Sequence, residues 1–259
     1  MRGSQVQILL PAWFKTILID RSHPLNPFPS CGFVSPQTLV PRSLCYTQVA
    51  KHIPVLVMLE QPQSQDFEHK WPKYYQAVLG RPPRPTLLAA LERFETPGFA
   101  VDLGCGEGRD TVELLRRGWR VLAIDGNREA FDRMLGREDL QNTDNLTTKV
   151  AKFQAATWPQ TDLINASFTL PFCPPEYFPE LWDKIVQSLP PGGRFCGQLF
   201  GDRDDWASIP THTHHTQEQA EKLLEQFEIE MFRVEEEDGK TALQSPKHWH
   251  IFHIVARKR

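Results

Sequence analysis

From Asp66 onward, apolar side chains recur at regular intervals, and the interval changes along the chain. Trp71, Tyr74, Tyr75, Val78 and Leu79 fall at helical spacing until Arg81-Pro82-Pro83-Arg84-Pro85 breaks the pattern. A second helix is expected over Thr86 to Phe94, with Leu87, Leu88 and Leu91 on one side. Short strands and helices then alternate. Phe99 to Leu103 reads as a strand, Arg109 to Arg117 as a helix closed by Gly118, and Trp119 to Ile124 as the next strand. Asn127 is placed to cap a helix reaching Leu135. Further strands are expected over 149–153, 162–168 and 194–200, with helices over 175–189 and 216–227. Such alternation builds a mostly parallel sheet covered by helices on both faces. Glu228 to Val234 and Trp249 to Ala256 are separated only by turn-forming residues around Asp238-Gly239 and Ser245-Pro246, so they pair antiparallel. The predicted fold is α/β, three layers α/β/α, closing in a C-terminal antiparallel hairpin.

Residues 1–57 lack this order: they hold seven prolines and no stretch in which either period persists. They read as a poorly ordered Pro-rich extension. The run from Gly3 to Pro11 resembles the product of a transfer-RNA gene translated by mistake, which makes Met58 the natural start and leaves 1–57 without function. The competing reading is a Pro-rich partner-binding arm. Residues 58–259 form the main domain, with the first helix as a lid.

Composition narrows the classes of function. The 259 residues are 40% hydrophobic and 24% charged, the profile of a water-soluble globular chain. The longest apolar run, Ile53 to Leu59, is interrupted by Pro54 and is about a third of the ~20 residues a membrane helix needs. Basic groups number 29 against 32 acidic. Residues 1–57 carry Arg2, Lys15, Arg21, Arg42 and Lys51 against Asp20, so the remainder holds 24 basic and 31 acidic groups, a balance of -7. An acidic body is a poor match for a phosphate backbone, so no nucleic acid and no membrane are expected as partners, and a small molecule is. Five cysteines, odd in number and without a C-x-x-C pair, give no disulfide framework or structural zinc site. A monomer in the cytoplasm is the default expectation.

The segment Val101-Asp-Leu-Gly-Cys-Gly-Glu-Gly-Arg-Asp110 carries the chemistry. It lies where the first strand of the alternating region turns into a helix, and Gly104, Gly106 and Gly108 let the chain bend sharply and let a ligand approach bare backbone. Sheets of this type bind ligands at the carboxyl ends of their strands. A dinucleotide loop, G-x-G-x-x-G, would put its third glycine at 109, where this chain has Arg109. Asp102 would also repel a pyrophosphate, whereas a cationic group suits it. Asp125 ends the second strand 21 residues after Gly104, where a carboxylate can accept from both hydroxyls of a ribose. A nucleoside joined to a positively charged, phosphate-free group fits both, and S-adenosyl-L-methionine meets that description.

On the loop Asp102-Leu-Gly104-Cys-Gly106-Glu-Gly108 and the acid at 125, residues 66–259 resemble the class I S-adenosylmethionine-dependent methyltransferases. The helix with Trp71 and Tyr74-Tyr75 is most similar to small-molecule enzymes of the thiopurine and tellurite-resistance type. The resemblance implies a Rossmann-like sheet with an antiparallel end, a loop bordering the methionine part of the cofactor, and Asp125 on the ribose. It implies methyl transfer to a small-molecule acceptor, a thiol or chalcogen oxyanion among the candidates. Two stretches depart from the family pattern. After the third strand, Ala155-Ala-Thr-Trp158 has no carboxylate, so adenine contact falls to backbone groups, Thr157 or the ring of Trp158. The fourth strand ends in Asn165-Ala-Ser167, counted with the cofactor residues, and not in the motif of enzymes that methylate nucleobase amines.

Cys105 sits in the loop, where packing behind it is favoured over nucleophilic attack, since displacement at a sulfonium needs no covalent enzyme intermediate. Arg81 is a candidate for a bidentate pair with the methionine carboxylate. His212, His214 and His215 read as solvated loop residues without a ligand set for zinc, one of them a candidate proton acceptor. Glu235 to Asp238 reads as a solvated turn. No catalytic base or metal is assigned. The alternatives are a non-catalytic cofactor-binding module and, less favoured, a nicotinamide-dependent oxidoreductase.

Overall fold

The computed structural model describes residues 70–259. The extension expected over 1–57 lies outside the described residues. Two helices lead, α1 (Trp71–Val78) and α2 (Pro85–Leu91), followed by β1 (Phe99–Leu103), α3 (Arg109–Arg116), β2 (Arg120–Asp125), α4 (Arg128–Leu135), β3 (Leu146–Val150) and β4 (Leu163–Ala166). The chain continues through α5 (Phe178–Ser188), β5 (Arg194–Gly201), β6 (His214–His215), α6 (Gln217–Leu223), β7 (Phe227–Lys240) and β8 (Pro246–Lys258). The sheet runs β3-β2-β1-β4-β5-β8-β7, with β6 added to β5. Neighbours from β3 to β5 are parallel, while β8 runs antiparallel to both β5 and β7.

Alternation along the inner strands sorts side chains onto two faces. Val101, Leu103, Ile164 and Phe195 meet Leu181, Trp182 and Ile185 of α5 on one side. Ala100, Val121, Leu163 and Cys196 meet Leu87 and Leu91 of α2 and Leu114 and Leu115 of α3 on the other. Helix ends follow their local chemistry. Past α3, Gly118 takes φ 84°, and the amides of Gly118 and Trp119 donate to the carbonyls of Leu115 and Leu114, closing the last turn. Asn127 caps α4 by accepting from the Glu129 amide at 3.0 Å, and Thr216 and Gln219 form a reciprocal box at the start of α6.

Three elements differ from expectation. β3 begins and ends three residues early, because Thr147, Thr148 and Val150 favour a strand at a solvated edge where no apolar alternation is needed. Glu235 to Asp238 is not a turn: these residues continue β7 opposite Ile251, His250, Trp249 and His248. β6, two residues paired with Phe200 and Gly201, is too short for any periodicity to reveal.

Candidate active site

β1 delivers the chain into a bend whose three glycines all have positive φ, 69° at Gly104, 54° at Gly106 and 83° at Gly108. A Cβ on Gly104 would collide with the Thr169 side chain, and one on Gly108 with Met134. These two glycines let the loop press against its neighbours. Gly106 differs: among the described residues, what comes near its missing Cβ is an edge carbon of the Tyr75 ring at 3.8 Å. The middle of the loop is bare backbone beneath an aromatic side chain from α1. Tyr75 is stacked on Trp71 at 5.9 Å between centroids, and Trp71 meets Phe172 edge-on at 6.2 Å.

Asp125 ends β2 beside that bare stretch. Its Oδ2 accepts from the Gly106 amide at 2.9 Å and its Oδ1 from the Asn127 amide at 2.8 Å. Burial raises the pKa of this carboxyl, and backbone donors act against the rise. A carboxylate offers about four lone-pair positions, more than the amides of Gly106, Gly126 and Asn127 use.

Beneath the loop lies a buried polar layer. Asn165 of β4 is in register with Asp102 of β1 and Cys196 of β5. Its Nδ2 donates to Asp102 Oδ1 at 2.9 Å and to Asp110 Oδ2 at 3.0 Å, and Thr111 Oγ1 donates to Asp102 Oδ2 at 2.5 Å. Asp110 Oδ1 accepts from the Arg84 amide, tying the start of α2 to the same layer. Burial, with Asp110 second, pushes the Asp102 pKa up to about 7.

Residues 100–193 match the methyltransferase-domain family model. The match covers about a third of the chain, and the fold is the Rossmann-like fold of class I methyltransferases. A carboxy-S-adenosyl-L-methionine synthase from Shewanella amazonensis is 33% identical over 116 residues, 42% of this chain and 47% of that protein. The chain therefore spans about half the length of this curated relative. Among solved structures, TehB from Haemophilus influenzae superposes with a TM-score of 0.60 at 16% identity, over 73% of this chain and 67% of that one. The 1,6-didemethyltoxoflavin-N1-methyltransferase of Burkholderia thailandensis, solved with S-adenosylhomocysteine, gives 0.57 at 17%, over 75% and 86%. The shared fold includes the antiparallel C-terminal strands.

Within the segment that matches the methyltransferase-domain model, the loop glycines, Cys105 and Asp125 stand together at the carboxyl edge of β1 and β2. Cys105 is buried against Ala123, Phe131 and Met134, and burial drives its thiol pKa well up. Asp102 and Asn165 are placed differently from expectation. They are 1% and 0% exposed, and each spends its polar atoms on the layer under the loop, so Asp102 does not face a ligand with a free carboxylate. Trp158 is also displaced. Its Nε1 donates to Ser188 Oγ at 2.8 Å, and the Ser188 carbonyl accepts from the Thr161 amide just before β4, which puts the ring near the amino edge of the sheet. The cause is the early end of β3: Ala151 and Lys152 follow its tip, and the Ala151 amide donates to the Asp125 carbonyl at 2.9 Å. Thr157 is held by Lys149, whose Nζ donates to its carbonyl and hydroxyl.

Arg81 forms no hydrogen bond or ion pair with the loop, and it lines a separate groove. The arginine at the tip of β4 is Arg84, whose guanidinium carbon sits 4.3 Å from the centroid of Phe168. Phe168 itself has φ 52°, a conformation a bulky side chain rarely adopts, and its amide donates to Gln198 Oε1. Sequence reasoning missed Arg84, Phe168, Asp110 and Thr111. The only signal for Arg84 was its place in the Pro-rich break, and Phe168 gave none. His212 packs edge-on to Phe172 at 5.1 Å and His215 lies 4.7 Å from Phe178. Both are buried, not solvated, and desolvation lowers each pKa to about 4. No cluster able to hold a metal ion occurs among the described residues.

Proposed function

We propose that the domain binds S-adenosyl-L-methionine across Gly106 and Asp125 and transfers its methyl group to a small-molecule acceptor. The observation that carries this reading is the Asp125 carboxylate, with acceptor capacity to spare, beside backbone at Gly106 that, among the described residues, only the Tyr75 ring approaches. A ribose diol suits that carboxylate, and a sulfonium suits the aromatic faces of Trp71 and Tyr75. Glu107 and Asp125 beside the loop disfavour a diphosphate, which argues against a nicotinamide dinucleotide. When bound, the cofactor would supply an electrophilic methyl carbon, to which an acceptor lone pair bonds as the carbon–sulfur bond breaks and a neutral thioether leaves.

The chain's own task is to align and to exclude water. Ser167 and Phe168 at the β4 tip, with Arg84 over the Phe168 ring, form the acceptor side. A cation there favours an acceptor that arrives already ionised, and a thiolate or chalcogen oxyanion needs no general base. His212 packs against Phe172, but a pKa lowered to about 4 makes it a weak proton acceptor, which again favours an acceptor that arrives ionised. Calorimetry with S-adenosylmethionine, S-adenosylhomocysteine and NAD tests cofactor choice. Detection of S-adenosylhomocysteine across thiols, selenite, tellurite and small amines tests the transfer. Binding without turnover of any acceptor would favour the non-catalytic module, and preference for NAD would end the proposal.

A further inference from the structure

Along α3, beginning at its first residue beside the glycine loop, lies a groove of about 330 Å3 walled by the loop at 80–83, one side of α3 and the turn at 137–141. Four guanidiniums line it, Arg81, Arg109, Arg116 and Arg137, against two carboxylates, Glu113 and Asp139. In a domain whose overall balance is acidic, this concentration of arginine is a local feature and not a property of the surface at large.

The ion pairs inside the groove are unevenly shared. Arg116 donates through Nε and Nη2 to the two oxygens of Glu113, each at 2.7 Å, and Glu113 also accepts from Arg117. Arg137 makes the same kind of fork to Asp139, at 2.8 and 2.7 Å. Both carboxylates are therefore committed. Arg109 has no such partner: its Nε donates to the Pro82 carbonyl at 2.5 Å, and its Nη1 is buried without a hydrogen bond. The neighbouring acid, Asp110, faces the other way, into the layer with Asn165 and the Arg84 amide. Arg81 is exposed and enters no ion pair among the described residues. Leaving a charged donor buried and unsatisfied is costly, so an orphan of this kind points to an acceptor the described residues do not supply.

We propose that this groove is a second ligand site, separate from the cofactor crevice, which takes a small doubly charged oxyanion of the phosphate type between Arg81 and Arg109. Arginine forks match the paired oxygens of such a group. Neither guanidinium forms an ion pair among the described residues, although Asp110 and Glu107 act on Arg109 through space, and a doubly charged ligand matches the pair. Val112 and the prolines of the 80–83 loop give the groove an apolar wall, which leaves room for an organic body attached to the anion. The site binds the phosphoryl group whether it comes as free phosphate or as a monoester.

The experiment titrates inorganic phosphate and phenyl phosphate into the full chain at low ionic strength, followed by calorimetry and by phosphorus NMR line broadening. The expected result is saturable binding that Arg81→Gln weakens by about tenfold or more, the scale for losing one charge-assisted fork. Arg109→Gln gives a similar loss if it folds; Arg81, exposed at the groove mouth, provides the test if it does not. Arg257→Gln, which removes an exposed arginine elsewhere, leaves binding unchanged. Tighter binding of phenyl phosphate identifies a monoester as the source, and equal binding identifies free phosphate. Absence of saturable binding with both probes, an equal loss in Arg257→Gln, or displacement of phosphate by S-adenosylhomocysteine would each overturn the proposal. The last result would leave cofactor binding itself intact, so the two readings fail separately.

Discussion

Asp102 and Asp125 end adjacent parallel strands on either side of one glycine loop, and by residue type they look interchangeable. Asp102 is enclosed by side chains drawn from far along the chain, Thr111 and Asn165, and is 1% exposed. Asp125 is held only by amides of the loop and of the following turn, and keeps acceptor capacity toward the crevice. The first carboxylate builds the floor on which the loop rests, and the second remains available to a ligand. A motif acid therefore cannot be given a ligand-facing role until its partners are known.

The largest way to break this division is at Asn165. Asn165→Leu removes the one donor that bridges Asp102 and Asp110, leaving two buried carboxyls face to face. It should lower unfolding free energy by about 3 kcal/mol or more. A loss below about 1 kcal/mol by chemical denaturation would mean the layer is not structural. Asp125→Ala should act on the other side, weakening S-adenosylhomocysteine binding by about 1–3 kcal/mol in calorimetry. Unchanged affinity would place the ribose elsewhere.

Acid sharpens the contrast further. In the folded chain Asp102 keeps its proton up to about 7, while the unfolded chain loses it near 3.8. This group therefore makes stability fall as pH rises across that window. His212 and His215, neutral when folded down to about 4 and protonated below 6.5 when unfolded, make stability fall as pH drops across nearly the same window. The two contributions oppose each other. Asp102→Asn should expose the histidine slope, so that denaturation midpoints climb more steeply with pH between about 4 and 6.5 than in the parent chain. The smallest expected effect is at Tyr75. Tyr75→Leu should cost the sulfonium ligand about 0.5–1 kcal/mol relative to the uncharged thioether, measured as the ratio of their dissociation constants.

Much of the fold was legible because it rests on local signals. The strand at 99–103, the helix opened by Gly108 and closed at Gly118, and the Asn127 cap are each specified within a few residues. The place of Asp125 at the end of β2 was legible for the same reason. The roles of Asp102 and Asn165 were not, since their partners come together only when β1, β4 and α3 are assembled. Trp158 shows how a small boundary error spreads: moving the end of β3 by three residues carries an aromatic ring from one edge of the sheet to the other. Arg84 and Phe168 meet across more than eighty positions, a contact no spacing rule encodes.

The long final hairpin leaves β7 as an outermost strand of the sheet, with β3 at the opposite border. Unpaired strand backbone invites a second chain to add itself, and charged side chains deter it. β7 carries Glu228, Glu236, Glu237 and Asp238 exposed along its length. Among the described residues nothing pairs with that border, and a second copy adding to it would have to accommodate these charges, so the stretch that reads as a solvated turn is expected to discourage strand-by-strand aggregation.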